Sequence, residues 1–133
     1  MLCWLPNADP ATRTEGGELT ARAVELYANH VPKTQRGNVT IAVSRIDYKG
    51  TQIEVARVWH PDLYTADRIA GGLRKAGVDA RGTTGDLHAE VALDQAAPGR
   101  TIGLSNPKGP CSACRQYFGS SAPVYWDDEA WIP

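Results

Sequence analysis

Apolar positions in the first half of the chain change from a helical to a strand spacing. From Leu19 to Val31 they recur at helical intervals, which predicts an amphipathic helix that Pro32 ends. Apolar and polar residues then alternate over residues 38–47, and residues 51–59 form a second stretch rich in β-branched side chains. Between the two stretches, Lys49-Gly50 provides a turn residue that is free to take a positive φ. This pattern predicts a β-hairpin.

Shorter apolar stretches separated by turn signals follow in the second half of the chain. Thr65 is a suitable N-cap for a short helix that ends at Gly77, and residues 78–85 are predicted to be a loop. Asp86 is the predicted N-cap of the next helix, which ends at Pro98-Gly99. The remaining predicted elements are a strand at 100–105, a helix at 111–118 closed by Gly119, and a strand at 122–126.

The order of these elements predicts one α/β domain in which helices pack around a central sheet. The chain has 133 residues, which suits a single domain with its own core, and we assign residues 1–133 to it. Residues 1–15 lack a period and are predicted to form a loose N-terminal arm. A hydrophobic content of 42% and a charged content of 22% are typical of a soluble globular protein.

Hydropathy and charge argue against a membrane protein and against a general polyanion binder. No apolar stretch approaches the roughly 18 residues that a membrane-spanning helix needs. The start, MLCWLPNADP, lacks a basic segment followed by an apolar one, so we predict no signal peptide. The formal net charge of −1 argues against tight, non-specific binding of duplex DNA. Basic residues outnumber acidic ones between Arg68 and Arg115, which indicates either a local basic patch or a mixed solvated surface.

Side chains that can bind a metal ion stand at the starts of two predicted helices. His88 and Glu90 lie in the first turn of the helix that Asp86 caps, and Cys111 and Cys114 open a later helix. A C-x-x-C pair alone is compatible with a redox site, a disulfide or half of a metal site. The unpaired N–H groups and partial positive charge of a helix start favour the thiolate form of cysteine.

One imidazole and two thiolates make three protein ligands for zinc. A structural zinc normally has four protein ligands, whereas three leave room for the water molecule of a catalytic zinc. Residues two apart on a helix point in different directions. Glu90 can therefore stand beside that water and transfer protons while His88 binds the metal. The alternative is a structural zinc, or a core histidine beside a redox cysteine pair.

The motif HAE…PCSAC resembles the signature H-x-E…P-C-x-x-C of the cytidine deaminase-like superfamily. The resemblance implies an α/β/α sandwich whose central mixed sheet starts with an antiparallel hairpin, with zinc held between two helix N-termini. It implies that His88, Cys111 and Cys114 bind Zn²⁺. Glu90 is then the general acid and base in hydrolytic deamination at C4 of cytosine or C6 of adenine. The backbone N–H of Ala89 is expected to lie near the base.

Within this superfamily, the small size, the hairpin VTIAVSRIDYKGTQIEVARVW and the segment TIGLSNPKGPCSACRQY resemble bacterial polymorphic-toxin deaminases. Those are C-terminal domains of secreted effectors that edit nucleic acid in a rival cell, and a cognate immunity protein usually blocks them. The resemblance therefore implies an interbacterial toxin domain, part of a larger effector, that converts cytosine to uracil in DNA in the cytoplasm of the target cell. A departure from the family is that little chain follows Trp126 to form its fifth strand.

Two alternatives remain open at this point. One is deamination of RNA or of a free nucleotide or nucleoside, with either cytidine or adenosine as the reacting group. The other is a non-catalytic, deaminase-like binding module with a structural zinc.

Four residues besides Ala89 are weak candidates for substrate contacts. Trp59 and His60 follow the second strand of the predicted hairpin, where relatives have a loop at the edge of the pocket. Asn38 begins the first strand, and Ser105 precedes the loop that leads to the cysteine pair. Each has a structural alternative, which is strand-end packing for the first two and an ordinary turn for the others.

Overall fold

The computed structural model describes residues 1–5, 12–118 and 123–130. Six strands within these residues are β1 (Leu2–Trp4), β2 (Thr40–Tyr48), β3 (Thr51–Trp59), β4 (Asp79–Thr83), β5 (Ile102–Leu104) and β6 (Val124–Asp127). They form one mixed sheet in the order β1-β6-β5-β2-β3-β4. The helices are α1 (Arg13–His30), α2 (Leu63–Lys75), α3 (Ala89–Ala96) and α4 (Ser112–Tyr117), with a 3-10 turn at Lys33–Gln35. None of the described helices is long and apolar enough to cross a membrane.

The predicted hairpin is confirmed by β2 and β3. The two strands pair antiparallel over all nine residues of each. Lys49 and Gly50 form the connecting turn with φ values of 51° and 81°, and two positive φ values in succession define a type I′ turn. The register places Thr40 opposite Trp59, so these two side chains lie at the same end of the sheet.

The predicted loop over residues 78–85 is wrong, because it contains β4. This strand pairs in parallel with β3, and α2 makes the crossover between the two strands. The helix lies close over the strand, since a Cβ on Gly82 would stand 2.6 Å from the backbone N of Asp67. The strand is therefore stabilised by non-local pairing and by packing against α2 rather than by its own residue pattern.

The starts of α1 and α2 differ from the prediction. Asp62 rather than Thr65 caps α2, because Asp62 Oδ2 accepts hydrogen bonds from the backbone N–H of Thr65 at 3.0 Å and from its hydroxyl at 2.7 Å. The helix consequently begins at Leu63. Likewise, α1 begins at Arg13, ahead of the apolar period that predicted it.

The predicted loose arm over residues 1–15 differs from the structure at both of its ends. Leu2–Trp4 forms β1, which pairs antiparallel with β6 at the edge of the sheet, and α1 already includes the last three residues of the arm. The segment 6–11 lies outside the described residues, as does Gly119, the predicted end of the last helix. The strand beyond β6 thus comes from the N-terminal segment of the chain.

Helices cover both faces of the sheet, which gives the three layers of an α/β/α sandwich. α1 and α2 pack on one face, and α3 and α4 pack on the other. Successive side chains of a strand point to opposite faces, so Ile41 and Val43 belong to the first core and Ala42 to the second. α1 passes so close to β5 that a Cβ on Gly103 would collide with the backbone of Leu19.

Candidate metal centre

The side chains that suggested metal chemistry gather at one end of the sheet. β3, β4 and β5 run in the same direction, because β3 is parallel to β4 while β3 and β5 are both antiparallel to β2. Their carboxyl ends therefore lie along a common edge, where open α/β sheets usually bind ligands. The loop that leads to His88 follows β4, and the loop that leads to Cys111 follows β5.

His88 is the N-cap of α3, which corrects the predicted cap at Asp86. Its φ of −66° and ψ of 158° are extended, and its side chain makes no capping hydrogen bond. The preceding loop is tied to the sheet, because the Thr83 hydroxyl donates to the carbonyl of Leu87 at 2.7 Å. The imidazole is therefore held at the helix start but left available for another partner.

Cys111 occupies the same position in the second loop. It is the N-cap of α4, with φ of −69° and ψ of 172°, and Cys114 lies one turn further on. Arg115 Nε donates a hydrogen bond to the carbonyl of Pro110 at 2.8 Å, which braces this turn. Both cysteines are free thiols, Cys111 exposed and Cys114 buried.

The three predicted ligand atoms converge into a small triangle. His88 Nδ1 lies 3.2 Å from Cys114 Sγ and 3.3 Å from Cys111 Sγ, and the two sulfurs are 3.5 Å apart. Neighbouring ligand atoms around a tetrahedral zinc lie about 3.5–3.8 Å apart, as follows from Zn–S and Zn–N bond lengths. The near-equal separations fit one imidazole and two thiolates around a single zinc ion, and this group of three could hold a metal ion.

No further histidine, cysteine or carboxylate joins this group within residues 1–5, 12–118 and 123–130. The group instead borders a cavity of about 440 Å³ that His88, Ala89, Glu90 and Cys111 help to line. Three protein ligands beside an accessible cavity are typical of a catalytic zinc, whereas a structural site is closed by a fourth ligand.

Glu90 lines this cavity from the first turn of α3. Its side chain is buried, with only 4% of the residue exposed. Burial raises the pKa of the Cys114 thiol above its ordinary range, and a hydrogen bond with the Glu90 carboxylate raises this pKa further. The carboxylate therefore lies beside the metal-binding group, where a bound cation would reverse the effect on Cys114 and favour its thiolate.

Of the five weak substrate candidates, four line cavities in this region. Trp59 lines the metal-site cavity, where its indole meets the His88 ring edge to face at 5.7 Å between centroids. Asn38 and Ser105 instead line a second cavity of about 610 Å³ beside the first. Ala89, whose backbone N–H was expected near the base, is fully buried in the wall of the metal-site cavity.

His60 is not among the described residues that line either cavity. Its Nδ1 accepts a hydrogen bond from the backbone N–H of Asp62 at 2.9 Å. Its Nε2 then carries the proton and donates to Gln35 Oε1 at 2.7 Å. With both ring nitrogens engaged, His60 braces the turn after β3, so the structure favours the structural role over substrate contact.

Among the residues that line the metal-site cavity, sequence reasoning did not single out Thr40, Lys108 or Arg115. Lys108 belongs to the turn Asn-Pro-Lys-Gly, which begins at Asn106 and leads towards the cysteine pair. The one signal in the sequence was that this turn directly precedes the first of the two cysteines.

The chain was compared with protein-family models, curated proteins and solved structures, and none of them matches it.

Proposed function

We propose that this protein is a zinc-dependent deaminase that converts cytosine to uracil in DNA. The observation that carries the proposal is the convergence of His88, Cys111 and Cys114 at a cavity whose wall contains the buried carboxylate of Glu90. An imidazole, two thiols and a carboxylate beside an accessible cavity are the groups that hydrolytic deamination of a base requires.

His88, Cys111 and Cys114 would hold the zinc ion, which would supply a water molecule acidic enough to ionise near neutral pH. Glu90 would take a proton from the attacking water and deliver it to N3 of the cytosine. A second proton transfer through Glu90 would reach the exocyclic amino group, which leaves C4 as ammonia. The products are uracil and ammonia, so one water molecule is consumed for each base.

The start of α3 would position the base for this reaction. The first helical hydrogen bond of α3 runs from the Ala92 N–H to the carbonyl of His88, so the N–H of Ala89 has no partner within the helix. Because Ala89 lines the cavity, this N–H would donate to a carbonyl oxygen of the base and hold the reacting carbon near Glu90.

We further propose that the domain is the toxin part of a secreted interbacterial effector that acts in the cytoplasm of the target cell. The support is the likeness of the hairpin and of the segment that ends in Cys-x-x-Cys to polymorphic-toxin deaminases. A cognate immunity protein would then be expected as a partner.

A direct assay tests the reaction and its substrate together. The purified, zinc-loaded protein is incubated with single-stranded DNA, duplex DNA, RNA, deoxycytidine and adenosine, and the nucleosides are analysed by mass spectrometry for uracil and inosine. Uracil formed from DNA, and absent with a Glu90→Gln variant, supports the proposal. A zinc-containing protein that alters none of these substrates would be a binding module, and inosine or an RNA product would move it to another branch of deaminases.

A further inference from the structure

The metal-site cavity lies beside the second cavity described above. We call the metal-site cavity the first chamber, the other the second chamber, and the two together the cleft. The second chamber has a volume of about 610 Å³, and both volumes fall within the roughly 300–1,000 Å³ of small-ligand sites. The two chambers have a common wall formed by Thr40, Trp59, Asn106 and Lys108. Each chamber can therefore hold its own chemical group, and one molecule lying across the common wall can fill both.

A lysine stands at the junction of the two chambers. The turn that carries Lys108 is fixed by Asn106, whose Oδ1 accepts from the Lys108 N–H at 2.9 Å and whose carbonyl accepts from the Gly109 N–H at 3.0 Å. Lys108 is exposed, and its ammonium group makes no ion pair with any residue in the described parts of the chain. It is therefore a cation held at the border of both chambers.

The charge of the cleft favours an anion that spans it. Arg36 lines the second chamber and Arg115 the first, while Glu90 is the one acidic residue among the described residues that line either chamber. The Arg36 guanidinium is fixed in place, because its Nη2 donates to the carbonyl of Ala28 at 3.0 Å. Three basic side chains along one cleft attract a phosphate-bearing ligand.

The second chamber also carries groups that can hydrogen-bond a base. Asn38 is exposed in its wall, and Asn106 lines the same chamber with an amide whose Nδ2 is a donor, while its Oδ1 accepts within the turn. The Tyr27 hydroxyl accepts from the Gly37 N–H at 2.9 Å, which leaves its own proton to donate. These donors suit the carbonyl and ring-nitrogen acceptors of a nucleobase edge.

We propose that the second chamber binds the nucleotide next to the target base and that Lys108 contacts the phosphate between the two nucleotides. The substrate is then a nucleic-acid strand of at least two nucleotides, not a free nucleoside or mononucleotide. The inference rests on the proposed function for the occupant of the first chamber. The phosphodiester that joins two neighbouring nucleosides must lie between their binding sites, and that is where the lysine stands.

Binding to zinc-loaded Glu90→Gln protein tests the proposal without turnover. A fluorescent single-stranded oligonucleotide with one cytosine is displaced by deoxycytidine, by deoxycytidine monophosphate and by dinucleotides that contain cytosine, and anisotropy is recorded. We expect a dinucleotide to compete about tenfold better than the mononucleotide, because the second base adds its own contacts. An abasic neighbour on the correct side of the cytosine should remove most of that gain.

Lys108→Gln tests the junction, with Lys75→Gln as the matched control. Lys75 is also exposed but lies at the end of α2 and lines neither chamber. Lys108→Gln should weaken oligonucleotide binding more than deoxycytidine binding. It should also reduce the slope of log affinity against log salt concentration by about 0.7, the value for one phosphate contact on a single strand. The control variant should change neither quantity.

The proposal is overturned if the mononucleotide and the dinucleotide compete equally well. It is also overturned if Lys108→Gln and Lys75→Gln bind the oligonucleotide with the same affinity and the same salt dependence. Failure of the proposed function has a different signature. If wild-type protein deaminates free nucleosides and strands with the same kcat/KM, the proposed deaminase function is supported, but the second chamber does not bind a neighbouring nucleotide. If no substrate is deaminated but strand binding depends on Lys108 and on the neighbouring base, the nucleotide site in the second chamber is supported and the proposed enzymatic function is wrong.

Discussion

The Tyr117 hydroxyl donates a hydrogen bond to Asp94 Oδ2 at 3.0 Å. This bond connects the two helices whose starts carry the metal-binding side chains. The other carboxylate oxygen, Asp94 Oδ1, accepts from the backbone N–H of Gly99 at 3.0 Å, so a single carboxylate joins α3, the turn after it and α4. Asp94 is buried, whereas Tyr117 is 43% exposed. The spacing between His88 and the cysteine pair therefore depends on a contact at the far ends of their helices.

Removing the Tyr117 hydroxyl should loosen this spacing. In Tyr117→Phe we expect the free energy of unfolding to fall by about 1 kcal/mol, the net value of a partly exposed hydrogen bond to a charged acceptor, together with weaker zinc binding. Urea denaturation and competition with a zinc chelator measure the two effects. Tyr64→Phe is the control, because Tyr64 lies in α2, away from Asp94 and Tyr117, where it is 72% exposed and its ring lies beneath the Arg68 guanidinium. If Tyr117→Phe and Tyr64→Phe had the same free energy of unfolding and the same zinc affinity, Tyr117 would not fix the spacing of the two helices.

The hydrogen bond between Tyr117 and Asp94 also predicts how the free energy of unfolding depends on pH. The hydrogen bond to Asp94 raises the pKa of Tyr117, and burial and the charge of Asp94 raise it further. A group whose pKa is raised by folding contributes stability that is fully present below its unfolded pKa, about 10 for tyrosine. That contribution is lost as the pH rises through the higher folded pKa. The stability difference between wild type and Tyr117→Phe should therefore be constant near neutral pH and shrink in alkali, as urea titrations at a series of pH values would show.

Metal content is the most direct test of the candidate site. We expect one zinc ion per chain in the wild-type protein and loss of most of it in Cys111→Ser and in Cys114→Ser, because each substitution leaves only two good ligands for zinc. Cys3→Ser is the matched control, since Cys3 lies on the edge strand β1 and is not part of the metal-binding group. Elemental analysis of the purified proteins gives the metal content. Zinc retained in both site variants would show that the metal is held elsewhere.

Zinc should also raise the thermal stability of the wild-type protein, because a ligand that binds only the folded state shifts the unfolding equilibrium. A chelator should lower the Tm of wild type and of Cys3→Ser but leave the Tm of the two site variants almost unchanged.

Substitution of Glu90 should reduce catalysis without reducing metal binding. We expect Glu90→Gln to lower kcat for deamination by about 10²–10⁴-fold, the usual contribution of a general acid and base, while the zinc content stays at the wild-type level. Asp86→Asn is the control, because Asp86 is an exposed acid on the same loop and lines neither chamber. Quantifying uracil by mass spectrometry measures the rates. Turnover by Glu90→Gln at the wild-type rate would exclude the assigned role.

The features that sequence predicts well here are local ones. The β2–β3 hairpin follows from alternation on both sides of Lys49-Gly50, and the loops that carry His88 and the cysteines follow from short motifs. The start of α3 was placed too early, because Asp86 is a good cap by itself. In the structure His88 is the cap instead, and two hydrogen bonds tie the preceding turn to the ends of β3 and β4, one of them from Trp59 Nε1 to the carbonyl of Gly85.

The second chamber and β4 are non-local and carry no sequence pattern. The chamber combines the turn before β2, the end of β3 and the turn after β5. These segments meet only because β5, β2 and β3 are neighbours in the sheet. Strand β4 has the sequence Asp-Ala-Arg-Gly-Thr, in which Asp and Gly are disfavoured in strands, so only its pairing with β3 and its cover by α2 reveal it.

A pair of glycine substitutions tests that account of β4. Gly82→Ala places a Cβ 2.6 Å from the backbone N of Asp67 and 2.8 Å from the carbonyl carbon of Ala66. Backbone atoms at that distance cannot yield without moving α2 away from the strand. We expect a loss of about 1–3 kcal/mol in the free energy of unfolding, the usual cost of overpacking.

Gly71→Ala is the control on the same helix, with the opposite expected sign. Its new Cβ meets only the end of the flexible Arg74 side chain at 3.4 Å, and alanine favours a helix interior over glycine by up to about 1 kcal/mol. Denaturant unfolding of both variants gives the comparison. A destabilised Gly71→Ala beside an unchanged Gly82→Ala would mean that α2 does not lie against β4, and β4 would lose the packing that explains why a sequence with such weak strand character forms one.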